Sequence, residues 1–335
     1  MVDEPHSFHD QHAIFATENS LSHARRHRPS HHMPDVGIIG LGPTWESRYL
    51  PVLKKLRNRI RVRAVYDPVF CRAQNAAVEL EADVSEGIHS LVRRRDLRAV
   101  LVLDSNWQST CAIKSACDSG KAVYLGGKMP LDLPLLDHLH QHLSSQGIEA
   151  MAELPWRYVP CTTRLRELMV TRLGPVKSIR ISSATGDAQG RMETSIGLID
   201  LCQYLIGTPP RKIETSREGS SHLYRLSFHK SRQSAEAASA EIEMHVSQSD
   251  IAKDEDSLLG EIICEHGSAR IRNQSELTWR NGTDAGVEVL TADRSEIEVM
   301  LDHFCRRVVG ALVPVPSLDD TCRVLQWLQE ASPKP

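Results

Sequence analysis

The sequence predicts an α/β chain in which an N-terminal doubly wound parallel sheet is followed by an α+β domain with an open, mainly antiparallel sheet. Three observations carry this. Near-continuous apolar runs recur at VGIIGL (36–41), VRAVYD (62–67), AVLVLD (99–104) and AVYLGG (122–127), separated by stretches with apolar residues at helical spacing. Strands that are apolar on both faces belong to a parallel sheet covered by helices on either side. After about residue 150 the pattern changes to long helical stretches, then to alternating strands with polar outer faces.

The elements follow in order. Between the apolar runs, RYLPVLKKL, CRAQNAAVELEA, GIHSLVRRR and CAIKSACDSG read as helices. CTTRLRELMVTRLG (161–174) predicts a helix stopped at Gly174, because glycine accepts the left-handed backbone of a helix end. VKSIRISS, YRLSFHK, AEIEMHVS, GEIICEHG, SARIRN and LTWRNG predict antiparallel strands, while SRQSAEAASA (231–240) and SQSDIAKDEDS (247–257) are polar loops. EIEVMLDHFCRRVVGAL and LDDTCRVLQWLQEA predict closing helices within 295–332. The expected organisation is a tail at 1–34, a dinucleotide-binding domain at 35–150 and a substrate and oligomerisation domain at 151–335.

Composition narrows the partners. A chain of 335 residues with 41% hydrophobic content can bury more than one core. A net charge of -3 and a pI near 6.6 argue against nucleic-acid and membrane-surface partners and favour a small molecule. Eight cysteines without a CxxC pair predict buried free thiols in a reducing compartment. With no apolar stretch of membrane length and no signal-peptide core, the expected location is cytoplasmic. The tail holds seven of the sixteen histidines and few aliphatic residues, which predicts disorder. Its HARRHRPSHH run lacks fixed spacing and carboxylate support, so no metal site is assigned. Met33, directly before the first strand, is a candidate translation start.

Gly40-Leu41-Gly42 lies between a strand and a helix, where missing side chains let backbone approach a pyrophosphate. Asp67 ends the second strand twenty-five residues beyond Gly42 and is placed to accept bonds from ribose hydroxyls. Such a carboxylate repels a 2′-phosphate, so NAD is expected over NADP, with Arg72 nearby keeping NADP open. Trp45 stands where the third glycine of such turns allows close helix packing. Either the helix stands off or the indole turns outward.

These motifs, with RAVLVLDSNWQSTCAIKSACDSGKAVYLGGKMPLDL and GLIDLCQYLIG (197–207), give a sequence that resembles the Gfo/Idh/MocA oxidoreductases from Asp35 to Ser332. The resemblance implies a Rossmann domain, then an α+β domain whose open sheet joins copies into a homo-oligomer. It also implies NAD(P)-dependent hydride transfer to or from sugar-like or polyol substrates. In that family a lysine of a Glu-Lys-Pro segment binds cofactor and polarises substrate, and a histidine on the core helix of the second domain is the acid/base. Imidazole suits the latter work near neutral pH.

Several positions depart from the pattern. The lysine segment reads Gly127-Lys128-Met129-Pro130, without its glutamate. Aligned on the lysine, Lys128 reaches the cofactor and substrate; aligned on Pro130, Met129 takes its place. The histidine position falls on Gly197, which leaves Glu193, four residues earlier, as the candidate base if burial raises its pKa. Asp200 is expected to be structural. Ser105, Asn106 and Gln108 replace the family's turn after the third main strand and are placed to bond a nicotinamide ribose or amide; Trp107 is placed to wall the cleft. Arg157 is a substrate contact or a salt bridge. With Gly40, Leu41, Gly42, Trp45, Asp67 and Lys128, these residues form the candidate site. Two functional readings follow: an oxidoreductase with an altered acid/base set, or a catalytically degenerate nucleotide-binding pseudoenzyme with a structural or regulatory role.

Overall fold

In the computed structural model the described residues are 33–104, 107–127, 133–185, 188–219, 221–230, 237–246 and 258–331. The tail and most of the two polar loops lie outside them. Six strands form the first sheet: β1 (Asp35–Ile39), β2 (Arg61–Tyr66), β3 (Asp83–Val84), β4 (Ala99–Val102), β5 (Ala122–Leu125) and β6 (Ala150–Ala152). All pair in parallel, in the order β3-β2-β1-β4-β5-β6. The order reverses at β1, which lies between β2 and β4, and such a reversal opens a crevice at the carboxyl ends of the strands.

Helices α1 (Leu50–Lys55), α2 (Phe70–Leu80), α3 (Ile88–Val92), α4 (Trp107–Asp118) and α5 (Leu133–Gln146) connect these strands. Alternate side chains of one strand enter different cores: Val100 and Val102 pack with Ile113 and Leu139 on one face, Leu101 with Tyr49 and Leu53 on the other. This is the physical content of the continuous apolar runs.

The second half begins with α6 (Pro160–Leu168), which continues as a π-helical turn at Met169–Leu173 and stops at Gly174, where φ is +76°. Then come β7 (Val176–Thr185), α7 (Ala188–Ile206), β8 (Pro210–Glu218), β9 (Ser221–Lys230), β10 (Ala237–Val246), β11 (Leu258–Cys264), β12 (Ser268–Arg272), β13 (Glu276–Asn281) and β14 (Asp284–Val289). The strands form one sheet ordered β14-β13-β12-β11-β7-β10-β9-β8, antiparallel except for the β7–β10 pair. β8 and β14, the two edges of this sheet, are not among the expected strands. Edge strands bury little, so RKIETSRE and DAGVEV carry no regular apolar alternation.

The chain ends in α8 (Glu296–Val308) and α9 (Leu318–Ala331). Ser295 caps α8 by accepting from Glu298 N–H at 3.3 Å, and Ser317 and Asp320 cap α9 reciprocally at 3.1 and 3.2 Å. Helix α8 returns to the first sheet: Met300, Leu301 and Phe304 are fully buried there, with the Phe304 ring 5.5 Å from that of Tyr124. Each such side chain stabilises the fold by roughly 1.5–3 kcal/mol. No helix among the described residues is long and apolar enough to cross a membrane. Six cysteines are buried and free as expected, whereas Cys71 and Cys111 are exposed.

Candidate functional site

The turn after β1 needs both of its glycines. Gly40 and Gly42 have φ of +71° and +64°, and a Cβ on either would lie 2.9 Å from Asp104 Cβ or 2.8 Å from the Leu103 carbonyl oxygen. The backbone therefore runs against the end of β4 with no room for side chains. Asp67, at the end of β2, is 5% exposed. Its Oδ2 accepts from Leu41 N–H at 3.0 Å and its Oδ1 from Val69 N–H at 2.9 Å. Arg72 donates to the Gly42 carbonyl at 2.6 Å and lies 3.8 Å from Asp67.

This corrects two expectations. The Leu41 amide is turned to Asp67 rather than outward, so Leu41 is a strut of the turn. Asp67 works first as the acceptor that holds the turn, although each oxygen keeps a lone pair for a hydroxyl.

Trp45 neither turns outward nor contacts a surface ligand; it is 5% exposed, within the core beneath α1. The helix answers by widening: residues Trp45–Tyr49 form a π-helical turn before α1 begins. Trp45 and Tyr49, four residues apart, both point inward, and the wider turn gives two large aromatic rings room against the sheet. Trp45 is thus a core residue, not a cofactor contact.

Above it lies a polar network that the sequence reading did not find. Tyr49, fully buried, donates to Glu153 Oε2 at 2.7 Å and accepts from Gly127 N–H. Tyr124 donates to the same oxygen at 3.3 Å, and Arg48 pairs with Oε1. Burial pushes the Glu153 carboxyl above its ordinary range, against the pull of Arg48 and the two hydroxyls. One signal was legible: Asp67, Asp104 and Glu153 each follow an apolar strand, and so lie at the carboxyl edge of the sheet.

On the other side, Arg157 lies in a 3-10 turn at Pro155–Arg157. Its Nε donates to Asp200 at 2.7 Å, its Nη2 donates to the second Asp200 oxygen, and it reaches Asp320 at 3.3 Å. Gln203 also donates to Asp200, at 3.1 Å. Of the two roles open to Arg157, the structure shows the salt bridge. The Nε and Nη2 edge of the guanidinium is committed to Asp200 and Asp320 in this fork. Burial raises the Asp200 carboxyl and Arg157 opposes it. Asp200 is structural, as expected.

Gly197 is buried on α7, and a Cβ there would lie 2.8 Å from Cδ1 and 3.2 Å from Nε1 of Trp156. The indole fills the place where the resemblance calls for imidazole. Glu193 is half-buried one turn earlier on the same helix. Lys128, Ser105 and Asn106 lie outside the described residues, as do the side chains of Trp107 and Gln108, whose backbones open α4.

No family model matches the sequence, and no curated protein matches it. Solved structures do. A dehydrogenase from Clostridium difficile is 16% identical, with a TM-score of 0.71 over 89% of this chain and 98% of its own. UDP-N-acetylglucosamine 3-dehydrogenase from Acidithiobacillus ferrooxidans is 15% identical, with a TM-score of 0.70 over 90% and 97%. The chain shares the two-domain fold of these dehydrogenases. A levoglucosan dehydrogenase in complex with NADH and levoglucosan is also similar, at 14% identity and a TM-score of 0.74 over 90% and 97%. Within this fold the glycine turn, the Glu153 network and the ends of β4 and β5 share the carboxyl edge of the parallel sheet, while α7 and the Trp156 turn come from the segment that follows it.

Proposed function

We propose that the chain is a nicotinamide-dinucleotide-dependent oxidoreductase that moves hydride to or from a CH–OH carbon of a sugar-like or polyol substrate. The observation that carries this reading is the Gly40-Leu41-Gly42 turn, whose two glycines lie at positive φ at the strand-order reversal and whose Leu41 amide is held by Asp67. A backbone cradle at such a point suits a pyrophosphate, so the residues present fit the cofactor. NAD is favoured over NADP: the Asp67 carboxylate repels a 2′-phosphate, and Arg72 is held by the Gly42 carbonyl. The cofactor supplies or accepts hydride. Ser105, Asn106 and Gln108 would hold its nicotinamide half, Lys128 would polarise the substrate oxygen, Trp107 would wall the cleft and Glu193 would take the hydroxyl proton.

A calorimetric titration with NADH and NADPH tests this, NADH being the tighter ligand. Asp67→Asn places an amide N–H against one of the two backbone donors, and loss of a charged acceptor weakens NADH binding about tenfold or more. Equal binding by the variant removes Asp67 from the site. The second reading, a nucleotide-binding chain without turnover, is favoured by one observation, the indole against Gly197. NADH binding without oxidation of any polyol in a panel selects it.

The outer face of the second sheet joins copies of the chain. Leu259, Ile263, Val287 and Val289 are exposed on it at 40%, 52%, 79% and 74%. Sedimentation equilibrium giving a monomer at micromolar concentration overturns this.

A further inference from the structure

The network around Glu153 is costly to bury and yet is built at the carboxyl edge of the sheet. Its carboxylate is 4% exposed, and its partners come from three separate places: Arg48 and Tyr49 from the helix after the glycine turn, Tyr124 from β5, and the Gly127 amide through the Tyr49 oxygen. The strand ends have adapted to it. A Cβ on Gly126 would lie 2.8 Å from the Tyr49 hydroxyl and 2.9 Å from Glu153 Oε2, so this position excludes any side chain.

Burying an ion pair gains little net stability over a packed apolar pair, because desolvation offsets the attraction. What directed polar contacts add is geometry. Tyr49 is one helical turn beyond the pyrophosphate turn, and Gly127 ends the segment that follows β5; the hydroxyl joins them directly. Glu153 fixes that hydroxyl by accepting its hydrogen bond, which leaves the Tyr49 oxygen lone pairs for the Gly127 N–H.

We infer that Glu153 and Tyr49 are positioning residues of the dinucleotide site, which set the spacing between the pyrophosphate turn after β1 and the Gly126–Gly127 turn after β5 that flanks the nicotinamide half. This rests on the dinucleotide reading above. Neither residue touches the cofactor; both act through the Gly127 backbone. A ligand that spans the two turns depends on the spacing, and a ligand confined to the pyrophosphate turn does not.

The test is a calorimetric comparison of NADH with ADP-ribose, which lacks the nicotinamide, on the full chain and on Glu153→Gln and Tyr49→Phe. Expected is a loss of about tenfold or more in NADH affinity, the worth of one mispositioned hydrogen bond, with ADP-ribose affinity unchanged within about twofold. Thermal unfolding of each variant accompanies the titrations, and Tyr49→Phe keeps the aromatic packing should Glu153→Gln fail to fold. Equal losses on both ligands show a merely structural network and overturn the inference, as does unchanged NADH affinity. If the unsubstituted protein binds ADP-ribose but not NADH, the inference fails while the pyrophosphate turn stands. Binding of neither overturns the dinucleotide reading itself, and the inference with it.

Discussion

Placing histidine at Gly197 alone is expected to destabilise the fold without raising turnover, whereas in a Glu193→Gln background, which lacks the proposed base, Gly197→His combined with Trp156→Ala raises oxidation of a polyol substrate by about 10²- to 10⁴-fold, the usual contribution of a general base. The obstacle is steric: even a Cβ at position 197 would lie 2.8 Å from the Trp156 ring. Forcing a larger group there displaces the indole or the helix, at a cost of about 1–3 kcal/mol. Nor does the indole replace the function, since its N–H only donates and takes no proton from a hydroxyl. Removing it opens the volume an imidazole needs. Urea denaturation and NADH formation on a polyol panel check both halves. A single variant as stable as the parent shows that the Trp156 ring yields freely, and a double variant with no gain in rate shows that α7 does not face the reacting carbon.

Arg157→Ala is expected to lower stability by about 3–5 kcal/mol, because it leaves the Asp200 carboxylate buried without its charge partner. Asp200 is fully buried and Arg157 is its bidentate donor, with Asp320 of the α9 cap as a further acceptor. The loss depends on pH in a definite direction. Burial already holds the Asp200 carboxyl above its ordinary 3.8, and removing Arg157 raises it further. A group whose pKa is higher folded than unfolded stabilises most below the unfolded value, and that contribution disappears as pH rises through the folded one. The destabilisation by Arg157→Ala is therefore small near pH 3.8, where the variant protonates Asp200, and grows toward neutral pH. Denaturant midpoints at several pH values measure it. A loss that stays constant with pH assigns the effect to lost packing of the guanidinium over Tyr204, 5.1 Å away, and not to the unpaired charge.

The parts of the fold that were legible share one property. They depend on residues close together in the chain. The runs that became β1, β2, β4 and β5 show their burial on both faces directly, and the helical spacing of EIEVMLDHFCRRVVGAL shows α8. The glycine turn was legible because positive φ and close approach both demand glycine. The edge strands β8 and β14 were not, since their pairing comes from neighbours on one side while their side chains stay largely exposed.

The candidate site divides in the same way. Gly40, Gly42 and Asp67 were found from spacing alone, but whether Asp67 faced a ribose or the Leu41 amide depended on how a backbone 26 residues away was turned. Trp45 offered two placements, and the structure took neither: the helix rewound into a π turn that let the indole in.

By itself, the sequence determined the doubly wound sheet, the order and type of most elements and the backbone cradle after β1, because hydrophobic period and glycine stereochemistry are properties of short segments. Only the tertiary structure decided which charges meet. Tyr49 finds Glu153 across 104 positions, and Arg157 finds Asp200 across 43 and Asp320 across 163. A buried charge is tolerable only beside its partner, and that partner is chosen by the packing of strands and helices, which no local pattern records.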